Sequence, residues 1–458
     1  MPWKAAFPSH LPHFRRNHGA VRGRSSALSG RRTDARLRNR EDLHSGQRSG
    51  PPPGNQTCPD EHLLQMSTQG KKLAWIQALR GIAALMVVMV HDRGALVGDG
   101  GAGRMVANAL LPMAMGVDLF FLISGFLMVL TTRDFDGSKA YAWAFTAKRI
   151  ARIWPLYAIV TLLAIAVDHH GLHGFADRSV LLPYLEGLAF IPHNPAASGL
   201  YFQMAVGVAW TLCFECYFYL VFALCMLFGR WRYGVMAGWF ALTLIAIPVL
   251  RGGYHLGVAS QPLVEWSRYA NLAINPIVWE FVFGMLAGWL YLSQFTIKRN
   301  VMIYSSVVLL TATLLIGWHR IGMVNFFGPA GWGAPLTILF LGAVMLAKNG
   351  AMRVPAGLVW LGEASYSLYL VHVYVFVLAQ RVMMPIPMGA DSFRAMLFVA
   401  RPVLAVMGAW LVFRYVEAPA SAWVRKCLLQ MTHRRHAQRS LPAWAGPESS
   451  ARRISDGP

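Results

Sequence analysis

Between Ala74 and His91 the chain reads AWIQALRGIAALMVVMVH, a run apolar enough to cross a bilayer that nevertheless holds an arginine, Arg80, and a histidine, His91. An ionisable side chain within a spanning helix costs about 2.5–3.5 kcal/mol on insertion scales, so it demands a partner or a function. The two residues stand eleven apart, roughly 16 Å along a helix and about half the depth of the hydrocarbon core. Eleven residues at ~100° each close about three turns, so both project from nearly the same side. Such a stripe offers a cation for an anionic group at one depth and an imidazole for proton transfer at another. Each residue also has a plain alternative: Arg80 snorkelling to one surface and His91 resting at the opposite interface. The shared face favours one wall of an active-site tunnel.

Four further stretches carry candidate chemistry. GVDLFFLISGF, from Gly116 to Phe126, sets Asp118 near the outer end of a second span. Asp118 either pairs with a cation or sits at the interface, and Ser124 and Gly125 favour close helix packing. KRIARIWPLY places Arg149 and Arg152 three residues apart, on one helix face at an inner end. Two guanidiniums there suit a phosphate, although spacing alone fits ordinary positive-inside bias or anionic lipid equally. WTLCFECYFYL sets Glu215 in an aromatic helix, roughly 12 Å below its outer end and in the same half of the membrane as His91, a natural partner for a buried carboxylate. LGEASYSLYLVHVYVF carries Ser365, Tyr369 and His372 at helical spacing. His372 falls some 20 Å from its inner end, near the level of His91, and serves either catalysis or a helix-packing network. Tyr219 and Tyr366 are further candidates to line the path. Glu280 and Glu417 read as members of structural ion pairs.

The elements that must hold these residues are helices. Of 458 residues, 55% are hydrophobic and only 14% charged, against about 25% charged in soluble domains. The chain therefore reads as an all-α polytopic membrane bundle. Ten apolar runs stand out, near 73–91, 110–131, 150–168, 207–228, 234–250, 271–293, 301–317, 332–347, 357–380 and 394–416. A shorter run at 180–191 suits an interfacial helix. Ten spans put both termini on one side, and Lys71, Lys72, Arg133, Lys139, Lys148, Arg230, Arg232, Lys298 and Arg425 mark that side as cytoplasmic. The net charge of +21 lies in the tails and short loops, so it reports topology, and no nucleic-acid partner is expected. Residues 1–70 read as a basic disordered tail, residues 71–420 as the membrane domain and residues 421–458 as a second basic tail. Translation beginning at Met66 would put Lys71 and Lys72 directly before the first span. The five cysteines give no disulfide framework and no zinc spacing, and Cys213 and Cys216 read as small core residues; no metal site is expected.

Arg80-Gly81 followed by His91, GVDLFFLISGF, the Arg149/Arg152 pair before WPLY, WTLCFECYFY and SYSLYLVH, in that order over residues 73–420, resemble the acyltransferase 3 family of integral-membrane acyltransferases. The wording is most similar to that of bacterial exopolysaccharide O-acetyltransferases of the stand-alone type. The resemblance implies a multi-pass protein of the bacterial inner membrane. Its donor substrate would be acetyl-CoA, with no permanently bound cofactor. Its acceptor would be a polysaccharide or lipid-linked oligosaccharide, within reach of a polysaccharide-synthesis complex. It further implies His91 as the catalytic histidine, Arg80 as its companion in donor binding, Arg149 and Arg152 as holders of the CoA phosphates, and Glu215 as the acidic residue of the fourth span, with Ser365, Tyr366 and His372 along the path.

On that reading neutral His91 takes the proton of a sugar hydroxyl as it attacks the thioester, with Glu215 or Asp118 orienting the ring; a transient acyl-His91 is the competing route. Buried His and Glu residues also make proton relays, so a proton-coupled transporter of a glycan or lipid-linked intermediate is the alternative from another class. The absence of a clear two-half repeat weighs against it.

Overall fold

A chain that crosses a bilayer must satisfy its backbone hydrogen bonds within each segment, and the described residues of this computed structural model contain helices and no strand. The structure describes residues 59–97, 101–168, 175–191, 204–252, 264, 267–319, 327–350 and 352–439. In chain order the helices are α1 (Pro59–Asp92), α2 (Gly101–Ala109), α3 (Gly116–Thr131), α4 (Lys139–Asp168), α5 (Arg178–Leu188), α6 (Trp210–Met226), α7 (Arg232–Ala241), α8 (Ile247–Leu250), α9 (Arg268–Ile274), α10 (Val278–Leu292), α11 (Arg299–His319), α12 (Ala334–Asn349), α13 (Ala356–Glu363), α14 (Ser365–Met383), α15 (Ala390–Val412) and α16 (Ala418–Arg439).

Each of the ten apolar runs coincides with helix. Among the described residues eight helical segments are long and apolar enough to cross a membrane, and α9 with α10 adds a ninth if their 44° bend is one broken span. The remaining run, 301–317, lies in α11, counted as a shorter apolar helix over Arg299–Leu314. The short run at 180–191 becomes α5, N-capped by Asp177, whose carboxylate accepts from the Ser179 N–H at 2.8 Å. α1 already begins at Pro59, so residues 59–70, read as part of a disordered tail, are helical. Residues 1–58 and 440–458 of the two tails lie outside the described residues.

Small residues bring the central helices together. A Cβ on Gly125 of α3 would strike the Phe281 carbonyl of α10, and one on Gly284 of α10 would strike the Leu122 carbonyl of α3. The two backbones touch there, which only glycine permits. Gly81 of α1 and Gly362 of α13 make a second such contact, where a Cβ on Gly81 would stand 2.9 Å from the Gly362 nitrogen. Around these seams pack aromatic rings: Phe281 lies 4.7 Å from Phe121 and 4.4 Å from Phe218, and Trp75 and Phe340 flank Phe126. The outside carries exposed Leu162, Leu163, Leu220, Leu224, Val403 and Met407, an apolar surface suited to lipid tails. Cys213 and Cys216 are free thiols, as core residues should be.

The regular helix is interrupted at several points. Asn275 caps the bend between α9 and α10 by accepting from the Ile277 N–H at 3.0 Å. A π turn, Phe413–Glu417, joins α15 to α16. Another, Pro329–Gly333, leads into α12. Gly284→Ala is expected to force α3 and α10 apart and to destabilise the protein by about 1–3 kcal/mol, the range for overpacking. Thermal unfolding of the detergent-extracted protein, compared with the parent, checks this.

Candidate active site

Arg80 projects from the middle of α1, 8% exposed, with its Nη1 donating to Gln77 Oε1 at 2.9 Å one turn earlier. The close α1–α13 contact at Gly81 fixes this turn of the helix. Arg149 and Arg152 project from one face of α4. Arg149 donates to Thr131 Oγ1 at 3.0 Å and lies over the rings of Phe145 and Tyr219, while its buried Nε has no hydrogen-bond acceptor among the described residues. The three arginines border one cavity of about 600 Å³ with Lys148 and Arg425, against only two carboxylates, Glu363 and Glu417. No carboxylate lies within ion-pair distance of Arg80, Arg149 or Arg152 among the described residues. Five cations around two anions make an anion-binding vestibule.

Arg80 and Arg152 also line a second, smaller chamber of about 50 Å³. Its walls are apolar (Val117, Phe120, Phe121, Leu212) apart from Ser124, Thr211, Glu215, Ser365, Tyr366 and Tyr369. The pair of arginines is thus the threshold between the two spaces. Glu215 accepts from the Tyr219 hydroxyl and from Ser124 Oγ at 3.3 Å. Tyr366 donates to the Ile153 carbonyl at 2.6 Å. The buried Ser365 Oγ has no partner among the described residues and borders the chamber. Tyr369 closes the far end, its hydroxyl bonded to the Val208 carbonyl at 2.8 Å and to Thr211 Oγ1 at 2.6 Å.

One turn beyond Tyr369 stands His372, fully buried, and beside it His91, exposed at the end of α1. His372 Nδ1 lies 3.1 Å and 2.9 Å from the Leu368 and Tyr369 carbonyls, so Nδ1 carries the proton and Nε2 accepts. His91 Nδ1 lies 2.8 Å from the Val87 carbonyl and 3.3 Å from His372 Nε2. Both neighbours are acceptors, so the His91 proton also sits on Nδ1. Its Nε2, with no partner among the described residues, is left as a free lone pair. The ring centroids are 5.0 Å apart at 55°. This is the arrangement of a general base held in one tautomer by a second group.

Of the residues the sequence singles out, Arg80, Arg149 and Arg152 meet in the vestibule, Arg80, Arg152, Glu215, Ser365 and Tyr366 meet in the chamber, and His91 meets His372. The two expected orienting carboxylates do not bond to His91. Glu215 is engaged by Tyr219 and Ser124, at the level of Arg80 and Arg152. Asp118, fully buried, accepts from the Gly328 N–H at 3.0 Å and lies beside Glu280, whose carboxyl oxygens are buried without a hydrogen-bond partner among the described residues. A helical rise gives depth but not which side a residue faces, and depth alone suggested the contacts with His91. Glu280 and Glu417, read as ion-pair members, have no such partner among the described residues: Glu280 meets Asp118, and Glu417 accepts from Ser367 Oγ at 2.6 Å and borders the vestibule. The π turn at Phe413–Glu417 inserts an extra residue and turns Glu417 inward, which regular spacing does not reveal. Two participants went unmarked: Gln77, one turn before Arg80, and Arg401, an ionisable residue inside an apolar run that the rule used for Arg80 would have flagged. Among the described residues no cluster suits a metal ion.

The family model described as an acyltransferase domain matches residues 73–414. The chain belongs to the acyltransferase 3 family. It is similar to the exopolysaccharide production protein ExoZ of Rhizobium meliloti (strain 1021), 32% identical over 61% of this chain and 81% of that protein. It is also similar to nodulation protein 10 of Rhizobium leguminosarum bv. viciae, 28% identical over 65% of this chain and 81% of the relative. A third relative, the acyltransferase MdmB of Streptomyces mycarofaciens, is 25% identical over 68% and 81%. No solved structure matches. The protein is a multi-pass membrane acyltransferase of this family.

The His372 acceptor should matter through the orientation of His91. His372→Ala is expected to lower the acyl-transfer rate by about 10- to 100-fold, the scale of a small misplacement of a reacting group. His372→Gln, which offers an amide oxygen to the His91 proton, should retain more; rates measured in membranes containing equal amounts of each variant decide it.

Proposed function

We propose that this acyltransferase carries an acetyl group from cytoplasmic acetyl-CoA to a hydroxyl of an extracellular polysaccharide or its lipid-linked precursor, across the bacterial inner membrane. The observation that carries this reading is the succession of a five-cation vestibule, a small chamber that shares Arg80 and Arg152 with it, and a histidine pair behind Tyr369. The vestibule suits the phosphates of a CoA, and Arg149 Nε, buried without an acceptor, supplies a free donor. Basic loops on the side of Lys71, Lys148 and Arg425 favour placing that end in the cytoplasm. The chamber has room for about three or four waters, a space that favours a two-carbon acyl group over a long chain. A relative named for exopolysaccharide production supports the polysaccharide acceptor.

In the reaction, His91 Nε2 takes the proton from the acceptor hydroxyl as its oxygen bonds to the thioester carbonyl carbon. Collapse of the tetrahedral adduct breaks the carbon–sulfur bond, and the imidazolium returns its proton to the leaving CoA sulfur. His372 Nε2 accepts from His91 Nδ1 throughout and fixes the ring. Arg80 sits with the anionic end of the donor, not with the carbonyl. Tyr369 stands between the chamber and the histidines, so its ring must swing aside, releasing Val208 and Thr211, for the thioester to pass.

Membrane vesicles given labelled acetyl-CoA are expected to place label on glycan, as a transporter would not. His91→Ala should cut the rate by about 100-fold or more, the contribution of a general base; near-normal transfer by this variant would refute the mechanism. Arg152→Gln should instead raise KM for acetyl-CoA about tenfold, as loss of one charge-assisted phosphate contact predicts, read by varying the donor concentration.

A further inference from the structure

Beside the histidine pair lies a buried ion pair with no part in the chemistry described above. Asp92, the residue after His91, is fully buried at the end of α1. Its Oδ1 meets Arg401 Nη1 of α15 at 3.5 Å. The second arm of the same guanidinium, Nη2, donates to Gln380 Oε1 of α14 at 2.5 Å. Its carbon lies 5.6 Å from the centre of the Phe376 ring, and Phe376 packs edge-on against His372 with centroids 5.7 Å apart. These contacts close a circuit: His91 to Asp92 along α1, Asp92 to Arg401, Arg401 to Gln380 and Phe376 on α14, Phe376 to His372, and His372 back to His91.

We infer that Arg401 is a positioning residue that clamps the ends of α1 and α14 at the spacing at which His372 Nε2 receives the His91 Nδ1 proton. The inference rests on His91 acting as the base. An arginine is suited to the task because its planar fork binds two partners in fixed directions, one on each helix. A buried pair of this kind stabilises little, since desolvation offsets attraction, but breaking it leaves an uncompensated charge. It therefore sets geometry more than stability. Arg401 touches neither imidazole and reaches the base only through the two helix ends.

The test uses the full-length chain in membrane vesicles, with kcat and KM for acetyl-CoA measured separately. Arg401→Gln should lower kcat about 10- to 100-fold, the cost of a small displacement of a catalytic group, and leave KM within about twofold. Combined with His372→Ala, it should be no slower than His372→Ala alone, because both changes remove the same constraint. Full kcat in Arg401→Gln, or losses that multiply in the double variant, would overturn the inference. If Arg401→Gln does not accumulate in membranes, Gln380→Ala at the exposed end of the circuit is read the same way: full kcat overturns the clamp, and a lowered kcat that does not multiply with His372→Ala supports it. His91→Ala in the same vesicles separates two failures. Retained transfer removes the base and this inference with it; no transfer, alongside a fully active Arg401→Gln, removes only the clamp.

Discussion

A guanidinium cannot face hydrocarbon, and this bundle is arranged around keeping three of them away from it. Arg80, Arg149 and Arg152 all turn inward, and because like charges repel, they can converge only where rigid packing holds them and a polar space receives them. The packing is supplied by glycine: α1 meets α13 through Gly81 and Gly362, backbone against backbone, so the helix bearing Arg80 has little freedom to turn away. The polar space is the vestibule itself. Cations held together with too few carboxylates are a standing site for an anion, and occupancy by a polyanion would relieve their repulsion.

The buried carboxyl groups are handled in two different ways, and the difference separates their roles. Glu215 receives hydroxyl donors from Tyr219 and Ser124 and borders the chamber next to Arg80 and Arg152, so it offsets part of the positive charge at the threshold without sealing it. Glu417 does the same at the vestibule wall with Ser367. Asp118 instead accepts from the Gly328 N–H, tying α3 to the segment before the π turn at Pro329–Gly333, with the buried Glu280 of α10 beside it. Asp118 thus acts as a joint between elements.

Much of this was legible in the sequence because the bilayer makes ionisable residues conspicuous. The ten apolar runs, the Arg80–His91 stripe, the pairing of Arg149 with Arg152 and the depth of His372 all follow from hydropathy and a 1.5 Å rise. What one helix at a time does not specify is azimuth, which helix faces which. Glu215 and His91 were matched by depth, yet Glu215 turns toward the arginines; Asp118 was offered to a cation and met a second acid. Departures from regular helix are a second blind spot, since the π turn that brings Glu417 inward leaves the residue pattern unchanged. Arg401 is a different matter: its position in an apolar run was visible, and its partner Asp92 was adjacent to the most suspicious histidine in the chain.

That adjacency bears on why the base is oriented by an imidazole. In the Ser-His-Asp arrangement a carboxylate holds the histidine and stabilises its protonated form. Here the carboxylate closest in sequence, Asp92, is tied to Arg401, and the acceptors at His91 Nδ1 are the Val87 carbonyl and His372, whose own Nδ1 is spent on two backbone carbonyls. A neutral acceptor gives direction without charge. On the proposed mechanism the imidazolium would therefore be held less firmly than by an anion and would surrender its proton more readily to the departing group. On that mechanism the balance favours a histidine that returns to its neutral form after each transfer over one that waits, charged, between substrates.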